Sequence, residues 1–370
     1  MKNVLILGAG FGGLTAANLL AKHCNVTLID RNSTYCMSLN KLWVMAGKRS
    51  PQEYEKPYFL LKKKKINFIK TEIAAIDLER KIVETSERGF SYDYLIIGMG
   101  AEPVPQVIPG FDNAYNLYTM QGAQQINNAL RRIERGKIAI LICRTPFKCP
   151  AAPYEAAFLI EEYLRKMKTR NNIEISVYTP EPQPMPVAGK VIGEKIKQLL
   201  SEKGISYLPN YKIIEIGKNS LKFENGENKD CDLIIGIPPH SAPAAIKHLC
   251  DENFISVDKK LQTKFNNVFA IGDCTAIKLA DGKLLPKAGV LAEEEAKVVA
   301  HNIIAEINGT EKISFNGKGY CFVETGDGKA AYADGDFFAE PSANVVMQEP
   351  SEKFLLDKIE FEKKRLKEWF

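Results

Sequence analysis

The turn after the first predicted strand constrains the fold of this 370-residue sequence more than any other feature. Residues 4–7 are apolar without alternation, as in a parallel strand buried on both faces, and a glycine-rich segment at 8–13 precedes a helix of small residues. The glycines of its GxGxxG pattern are Gly8, Gly10 and Gly13. At such a turn the backbone can approach a pyrophosphate, and the helix N-terminus stabilises the charge. The sequence therefore predicts an α/β domain of the Rossmann type.

Three further segments complete the predicted dinucleotide site. A second predicted strand ends in Asp30, which is placed to accept a hydrogen bond from a ribose hydroxyl. Another buried strand ends at Gly98 and Gly100, and a third ends at Gly272 and Asp273. The third segment resembles the FAD-binding segment of the two-dinucleotide-binding-domain flavoproteins. This resemblance implies FAD as the cofactor, with Asp273 in contact with its ribityl–phosphate portion.

A later helix is similar to another element of these flavoproteins, in which the helix N-terminus faces the pyrimidine ring of the isoalloxazine. The matching helix is predicted at 290–307, and Lys287 precedes it. The positive end of the helix would stabilise an anionic reduced flavin, and Lys287 would add to this effect. The alternative is that Lys287 is an ordinary solvated lysine.

The chain is predicted to contain two Rossmann-like domains and a C-terminal amphipathic region. The FAD domain is discontinuous, over residues 1–105 and 250–315. The segment between, 106–249, has its own strand–helix–strand character and forms the second domain. Residues 316–370 form the C-terminal segment.

Composition and charge narrow the function classes. Hydrophobic residues make up 45% of the chain and charged residues 26%, which are ordinary values for globular domains. A net charge of +5 is mild and does not suggest a nucleic-acid binder, whose basic residues would be concentrated in one patch. The start at Met1 leaves no room for a signal peptide, and no apolar run is long enough to span a membrane. We expect a cytosolic protein, or one at the inner face of a membrane.

The eight cysteines are dispersed along the chain, with no CxxC pair and no Cys/His cluster at zinc spacing. Cysteine this dilute in a chain this long does not indicate a disulfide-stapled secreted fold. The sequence therefore predicts no metal site. A cysteine with a specific role in this protein is expected to take part in chemistry and not in a structural disulfide.

The second Rossmann-like domain lacks the turn that a nicotinamide cofactor needs. Its first strand, at 137–142, is followed at 143–155 by a turn with three prolines and no glycine. Such residues leave no close backbone approach for a pyrophosphate. The same turn contains Cys149, just before a helix predicted to begin near Pro153, and the helix N-terminus would lower the pKa of this thiol. The alternative is a buried structural cysteine.

The run from Cys149 to Glu155 resembles the redox-cysteine segment of sulfide:quinone oxidoreductases and flavocytochrome c sulfide dehydrogenases. Their second redox cysteine is matched by Cys321 within the segment 319–326, and the proline-rich 237–240 and the end of the chain are also similar. The resemblance thus covers nearly the whole chain. It implies that Cys149 and Cys321 form a disulfide or sulfur-bridged pair beside the flavin. Sulfide would attack this bridge, and two electrons would pass to FAD.

Two other residues acquire roles from the same resemblance. Glu155, in the first turns of the helix, could take the proton that sulfide must lose; the alternative is an acid that pairs with the helix dipole. Cys36 lies in a segment, 35–40, similar to the one in which flavocytochrome c sulfide dehydrogenases attach the flavin 8-methyl group through a thioether. FAD could therefore be covalently bound, or Cys36 could be a free thiol that lines the FAD pocket.

Reduced flavin must pass its electrons to an acceptor. Because the nicotinamide site is missing, the remaining candidate acceptors are a membrane quinone and a haem partner protein. Haem-linked relatives need export, so quinone is favoured. The C-terminal residues 354–370 support a membrane contact, because apolar side chains recur at helical spacing beside a basic face, and such a helix can lie in a bilayer interface. The apolar residues are Leu355, Ile359, Leu366 and Trp369, and the basic ones are Lys358, Lys363, Lys364, Arg365 and Lys367.

These features place the protein peripherally on the cytoplasmic side of the cell membrane, and Lys62–Lys65 could add an electrostatic contact. The alternative is a helix that docks on its own protein. A homo-oligomer is also compatible with the sequence.

Three alternative functions stay open. A type II NADH dehydrogenase shares the fold and the quinone, but it predicts a glycine-rich turn after Ile142 and no paired cysteines. A haem-partnered sulfide dehydrogenase subunit would be favoured by covalent FAD on Cys36. A flavin-bearing redox sensor without turnover is the alternative from outside the enzymes.

Overall fold

The computed structural model describes residues 1–53 and 55–370. The strands of its larger sheets are β1 (Asn3–Leu7), β2 (Asn25–Asp30), β3 (Ile66–Lys70), β4 (Tyr94–Ile97), β5 (Tyr115–Asn116), β6 (Gly136–Ile142), β7 (Ile173–Tyr178), β8 (Ile205–Leu208), β9 (Leu233–Ile237), β10 (Val268–Ala270), β11 (Lys318–Gly326), β12 (Lys329–Asp336) and β13 (Asn344–Ser351). The α-helices are α1 (Phe11–Leu20), α2 (Asn40–Met45), α3 (Met120–Leu130), α4 (Ala152–Lys166), α5 (Lys190–Glu202), α6 (Gly289–Asn308) and α7 (Glu352–Trp369).

The first sheet is parallel, with the strand order β10–β4–β1–β2–β3. Successive side chains of a strand point to opposite faces, so Val4 and Ile6 pack against α1 and α6. Leu5 and Leu7 pack on the other face, against a small antiparallel sheet within 73–91. Burial on both faces explains why β1 is apolar without alternation.

The second sheet repeats this plan, with the strand order β5–β9–β6–β7–β8 and all pairs parallel. Ile138 and Ile140 face the helices α3, α4 and α5, and Ala139 and Leu141 face another antiparallel sheet within 213–230. The prediction of two Rossmann-like sheets in an α/β fold is confirmed. The domain boundaries at 105, 250 and 315 stay predictions.

The C-terminal region begins with the antiparallel sheet β11–β12–β13 and ends with α7. The Ser351 hydroxyl caps α7 by accepting a hydrogen bond from the Phe354 N–H at 3.3 Å. The far end of α7 packs on α1, where the Trp369 indole donates to the Thr15 hydroxyl at 3.2 Å. The C-terminal region is therefore tied to the first sheet.

Candidate functional site

A cleft of about 440 Å³ lies where the carboxyl ends of β1, β2, β4 and β10 meet the N-termini of α1 and α6. Ligands of open parallel α/β sheets bind at this edge. Every predicted catalytic and cofactor-binding residue lines this cleft except Gly13, which packs behind it. The lining residues of that set are Gly8, Gly10, Asp30, Cys36, Gly98, Gly100, Cys149, Glu155, Gly272, Asp273, Lys287 and Cys321.

The glycine turn fits a pyrophosphate. A Cβ added to Gly13 would lie 1.8 Å from the Gly8 carbonyl oxygen, so only glycine lets α1 follow β1 this closely. A Cβ added to Gly10 would meet no protein atom within 4 Å, because this backbone faces the open cleft. Asp30 accepts a hydrogen bond from the Ala9 N–H at 2.8 Å and also lines the cleft, as an acid at the ribose position must. The cradle is thus open where the cofactor is expected.

Lys287 is 6% exposed, so the alternative of an ordinary solvated lysine is wrong, and its effect on a reduced flavin stays a prediction. Its ammonium donates to the Asp273 and Thr275 carbonyl oxygens at 2.7 and 3.1 Å and lies 3.3 Å from the centroid of the Phe254 ring. Burial lowers the pKa of Lys287, against the opposing effect of the Asp273 carboxylate. The ammonium therefore holds the backbone around Asp273 at the edge of the cleft. The start of α6, Ala288 and Gly289, does line the cleft as predicted.

The two predicted redox cysteines come from distant segments and line the same cleft. Cys149 lies in the turn between β6 and α4, and Cys321 lies on β11; both are free thiols in this structure. Cys149 adopts a left-handed backbone with φ of +52°, and its N–H donates to the Lys287 carbonyl oxygen at 2.7 Å. A non-glycine residue in this region costs about 1–3 kcal/mol and occurs preferentially at functional sites.

The predicted lowering of the Cys149 pKa is wrong. Burial, followed by the charge of Glu155, raises the pKa of Cys149 to about 12. Burial also raises the pKa of Cys321 well above its ordinary value, and the nearby Cys149 and Glu155 add to the rise. The cost of removing the thiolate from water therefore exceeds the stabilisation that the helix N-terminus gives it, which is worth less than a few kcal/mol.

Glu155 lies at the centre of a buried ionic network. Its Oε1 accepts from Lys358 Nζ at 2.5 Å and from the Glu324 N–H at 2.8 Å. Lys358 Nζ also contacts Glu324 at 3.2 Å, and Lys48 contacts the other oxygen of Glu324 at 2.9 Å. Among the described residues, Oε2 of Glu155 has no hydrogen-bond partner, so this carboxylate keeps one free oxygen beside the cleft.

Cys36 lies in the segment between β2 and α2. It lines the cleft and accepts a hydrogen bond from the Asn40 side chain at 3.6 Å. Burial raises the pKa of Cys36, and the Asn40 contact opposes the rise. Its position is compatible with both predicted roles, a covalent link to FAD and a free thiol in the FAD pocket.

Several cleft residues were missed by the sequence reasoning. Lys41 and Lys148 bring positive charge to the cleft, and Tyr118 donates to the Lys148 carbonyl oxygen at 2.6 Å. Burial and the neighbouring Lys148 lower the pKa of Lys41 to about 8. Lys148 is the one that a local signal could have found, because it immediately precedes Cys149; Lys41 and Tyr118 carry no such signal.

A second cavity, of about 590 Å³, shares Cys149 and Cys321 with the cleft. It lies at the carboxyl ends of β6 and β7, where a nicotinamide dinucleotide would bind in a Rossmann domain. Its walls are mostly apolar, with Phe147 from the glycine-free turn and Glu181 after β7. Burial raises the pKa of Glu181 to about 7. We call this space the apolar cavity.

The predicted faces of the C-terminal helix are partly wrong. Leu366 and Trp369 are buried against the protein's own core, and Lys358 is 4% exposed in the ionic network. Arg365 forms an ion pair with Glu293 at 3.1 Å. The second half of α7 is therefore a docking helix, and its apolar stripe does not face outward. No helix among the described residues is both long and apolar enough to cross a bilayer.

The two sheets, the glycine turn and the cleft define a flavoprotein oxidoreductase of the FAD-binding, two-dinucleotide-binding-domain class. The model of the family described as pyridine nucleotide-disulphide oxidoreductase matches residues 2–142 and 155–301. The chain belongs to this family, and FAD is its cofactor. The match is interrupted at 143–154, which is the turn that contains Cys149.

Individual relatives differ in the activity that their names state. The type II NADH:quinone oxidoreductase of Staphylococcus aureus is 25% identical over 361 residues, which cover 88% of this chain and 89% of that protein. The sulfide:quinone oxidoreductase of Aquifex aeolicus superposes with a TM-score of 0.90 at 22% identity and covers 100% of this chain and 91% of that structure. NDH2 from Plasmodium falciparum, in complex with NADH, gives 0.71 at 18% identity, with 90% and 89% covered. Both structures show the fold.

Proposed function

We propose that this flavoprotein oxidises sulfide through Cys149 and Cys321 and passes the electrons to a membrane quinone. The observation that carries the proposal is that both thiols line the cleft of the dinucleotide motif, while the turn after β6, which contains Cys149, offers no glycine for a second dinucleotide. Structural likeness to a sulfide:quinone oxidoreductase at a TM-score of 0.90 supports it. Type II NADH:quinone oxidoreductases share the quinone.

The resting state in this proposal is a Cys149–Cys321 disulfide. Hydrosulfide attacks one sulfur, a new S–S bond forms to that cysteine, and the bridge bond breaks to leave the other cysteine as a thiolate. The proton of the resulting persulfide passes to Glu155, whose Oε2 has no protein partner among the described residues. Lys358 at 2.5 Å keeps this carboxylate in place.

Attack by a second hydrosulfide on the outer persulfide sulfur releases a disulfide anion and leaves both cysteines reduced. Loss of two electrons from the two cysteine sulfurs then closes the bridge again. Bound FAD supplies the two-electron acceptor that this closure needs. Gly8, Gly10, Asp30 and Asp273 would hold its nucleotide and ribityl portions, and the start of α6 would face its ring system.

An aromatic group beside the cleft supports the quinone acceptor. Phe322, next to Cys321, and Phe361 of α7 both line the cleft, with ring centroids 6.3 Å apart. Tyr332 lies 5.4 Å from Phe322 and stacks on Phe354 at 5.6 Å, so the group continues from the cleft toward the first turn of α7. Flat apolar rings of this kind suit a quinone head group.

NADH oxidation is the second candidate. The relationship to the Staphylococcus aureus enzyme and the apolar cavity, with Glu181 after β7, favour it. Its weakness is the turn at 143–155, which holds three prolines and Cys149 where the backbone should approach a pyrophosphate.

Anaerobic titration separates the two functions. We expect sulfide to bleach the oxidised flavin absorbance of the purified holoprotein, decylubiquinone to restore it, and NADH to leave it unchanged. Cys149→Ser and Cys321→Ser should each lose reduction by sulfide and keep their FAD. The matched control is Cys250→Ser, since this half-buried cysteine lines neither cavity. Bleaching by NADH and none by sulfide would establish the second candidate and refute the first.

A further inference from the structure

Four lysines line the cleft, and the protein itself engages three of them. The ammonium groups of Lys148 and Lys287 donate to backbone carbonyl oxygens, the first at 3.0 Å and the second at 2.7 and 3.1 Å. Lys358 is paired with Glu155 at 2.5 Å. The fourth, Lys41, has no hydrogen bond or ion pair in the described chain. Its charge is therefore the one that the fold leaves for a ligand.

Lys41 lies near the segments that carry the thiols. It is the second residue of α2, and the preceding Asn40 ties the start of this helix to Cys36 by a hydrogen bond to Sγ at 3.6 Å. The buried side chain of Trp43 anchors the same helix in the protein. The ionised forms of Cys36 and Cys149 both favour the charged Lys41. The ammonium is thus close enough to both thiols to interact with a negative charge beside them.

No carboxylate of the described chain balances the charge of Lys41. Burial lowers its pKa to about 8, the positive charge of Lys148 adds to the fall, and the thiolates of Cys36 and Cys149 oppose it. These three groups are the titratable groups of the described chain that act on it. A buried ammonium without a carboxylate is stabilised by any anion that comes close to it. Lys41 therefore supplies the cation of an anion site.

Hydrosulfide requires such a cation at the thiol pair. It must arrive as an anion, because the ionised sulfur is the nucleophile in thiol–disulfide chemistry. The surroundings disfavour negative sulfur, since burial raises the pKa of Cys149 to about 12 and also raises that of Cys321. A hydrosulfide ion at the same place meets the same cost of leaving water. Lys358 is already shared between the carboxylates of Glu155 and Glu324.

We propose that Lys41 binds the hydrosulfide anion beside the thiol pair, so that the anion and not neutral hydrogen sulfide is the form of the substrate that reacts. This inference rests on the proposed function and names the residue that selects its substrate. The ammonium keeps its proton while the new S–S bond forms and the bridge bond breaks. Because the lysine must be protonated and the substrate ionised, the reaction is fastest between these two ionisations.

Stopped-flow reduction of the flavin by sulfide, with the anaerobic holoprotein at several pH values, tests this assignment. At low sulfide, the second-order rate constant should rise as hydrogen sulfide ionises near neutral pH and fall again above about pH 8. At neutral pH, Lys41→Met should raise the sulfide concentration for half-maximal rate about 30-fold, as expected for loss of a charge-assisted contact, and leave the limiting rate nearly unchanged. Lys41→Arg should keep tight binding and lose the alkaline fall, because a guanidinium stays protonated.

A second measurement needs no turnover. The double variant Cys149→Ser/Cys321→Ser cannot form the bridge, and calorimetric titration of its holoprotein with sodium hydrosulfide should show binding that the further change Lys41→Met removes. The matched control is Lys70→Met, which removes an exposed lysine that lines neither cavity and should leave the binding and both kinetic parameters unchanged.

Equal half-maximal sulfide concentrations in Lys41→Met and the parent protein would overturn the inference, as would a parent pH profile without an alkaline fall. Loss of FAD from Lys41→Met would also overturn it, because the lysine would then serve the cofactor. A parent protein whose flavin is not reduced by sulfide refutes the proposed function instead. In that case the calorimetric comparison still decides whether Lys41 binds the anion, so the two proposals fail separately.

Discussion

Glu295 makes the stability of this flavoprotein depend on pH in a direction that one substitution can test. This residue of α6 is 1% exposed, and its Oε2 accepts from the Gly272 N–H at 2.5 Å. Burial raises the pKa of Glu295 from 4.5 to about 8; the Gly272 contact opposes the rise, and the Asp273 carboxylate adds to it. The folded state therefore binds this proton more tightly than the unfolded chain.

The sign of the effect follows from linkage. A carboxyl group with a raised pKa in the folded state contributes its full stability below its unfolded pKa, and this contribution is lost as the pH rises toward about 8. Glu295→Gln replaces the protonated acid by a neutral group that keeps an acceptor for Gly272. From the two pKa values, the variant should gain about 3 kcal/mol relative to the parent protein between about pH 5 and pH 8.

Urea unfolding at several pH values, followed by circular dichroism and by FAD fluorescence, measures this difference. The control is Glu294→Gln, since Glu294 is solvent-accessible and pairs with Lys297 at 2.6 Å. Its difference from the parent should stay within about 0.5 kcal/mol at every pH. Parallel pH curves for the parent and Glu295→Gln would refute the reasoning, because they would show that Glu295 takes up no extra proton on folding.

Two further predictions concern backbone geometry. Cys149→Gly should be about 1 kcal/mol more stable than Cys149→Ala in thermal unfolding, because φ is +52° at this position; equal stabilities would argue against a strained turn. Gly13→Ala should unfold early and lose FAD, since its Cβ would lie 1.8 Å from a carbonyl oxygen of the turn. Gly10→Ala should keep the fold and lose only FAD affinity, because its Cβ meets open space, and the opposite ranking in melting temperature and FAD content would contradict this account.

The convergence of Gly8, Gly10 and Asp30 on one cleft could be predicted from the sequence, because its determinants are local. A strand, a glycine turn and a helix fix the position of Gly8 and Gly10, and parallel pairing of β1 with β2 brings Asp30 to the same edge. The ionic network could not be predicted, because Lys358 and Glu155 are 203 residues apart. Helical periodicity showed that α7 is amphipathic, but it could not show which surface its apolar stripe meets.

The error in the Cys149 pKa has the same origin. The helix N-terminus is visible in the sequence, whereas burial depends on how the turn packs against distant segments. The thiol shares its surroundings with Cys321 and Glu155, and both the loss of water and the carboxylate charge oppose ionisation. A reactive thiolate at this place therefore needs a neighbour that stabilises it, and Lys358 is the cation that lowers the pKa of both thiols.

The turn at 143–154 is the part of the chain that decides between the two candidate functions. The family match is interrupted there, and the backbone of Cys149 is held by a hydrogen bond to the Lys287 carbonyl oxygen at 2.7 Å. The Lys287 ammonium in turn holds the Asp273 carbonyl oxygen at 2.7 Å, within the segment predicted to bind FAD. Opening this turn to admit a pyrophosphate would disturb the segment around Asp273, because these two hydrogen bonds connect them. The same two contacts fix a cysteine at the edge of the cofactor cleft, which is what oxidation of a small nucleophile through a thiol pair requires.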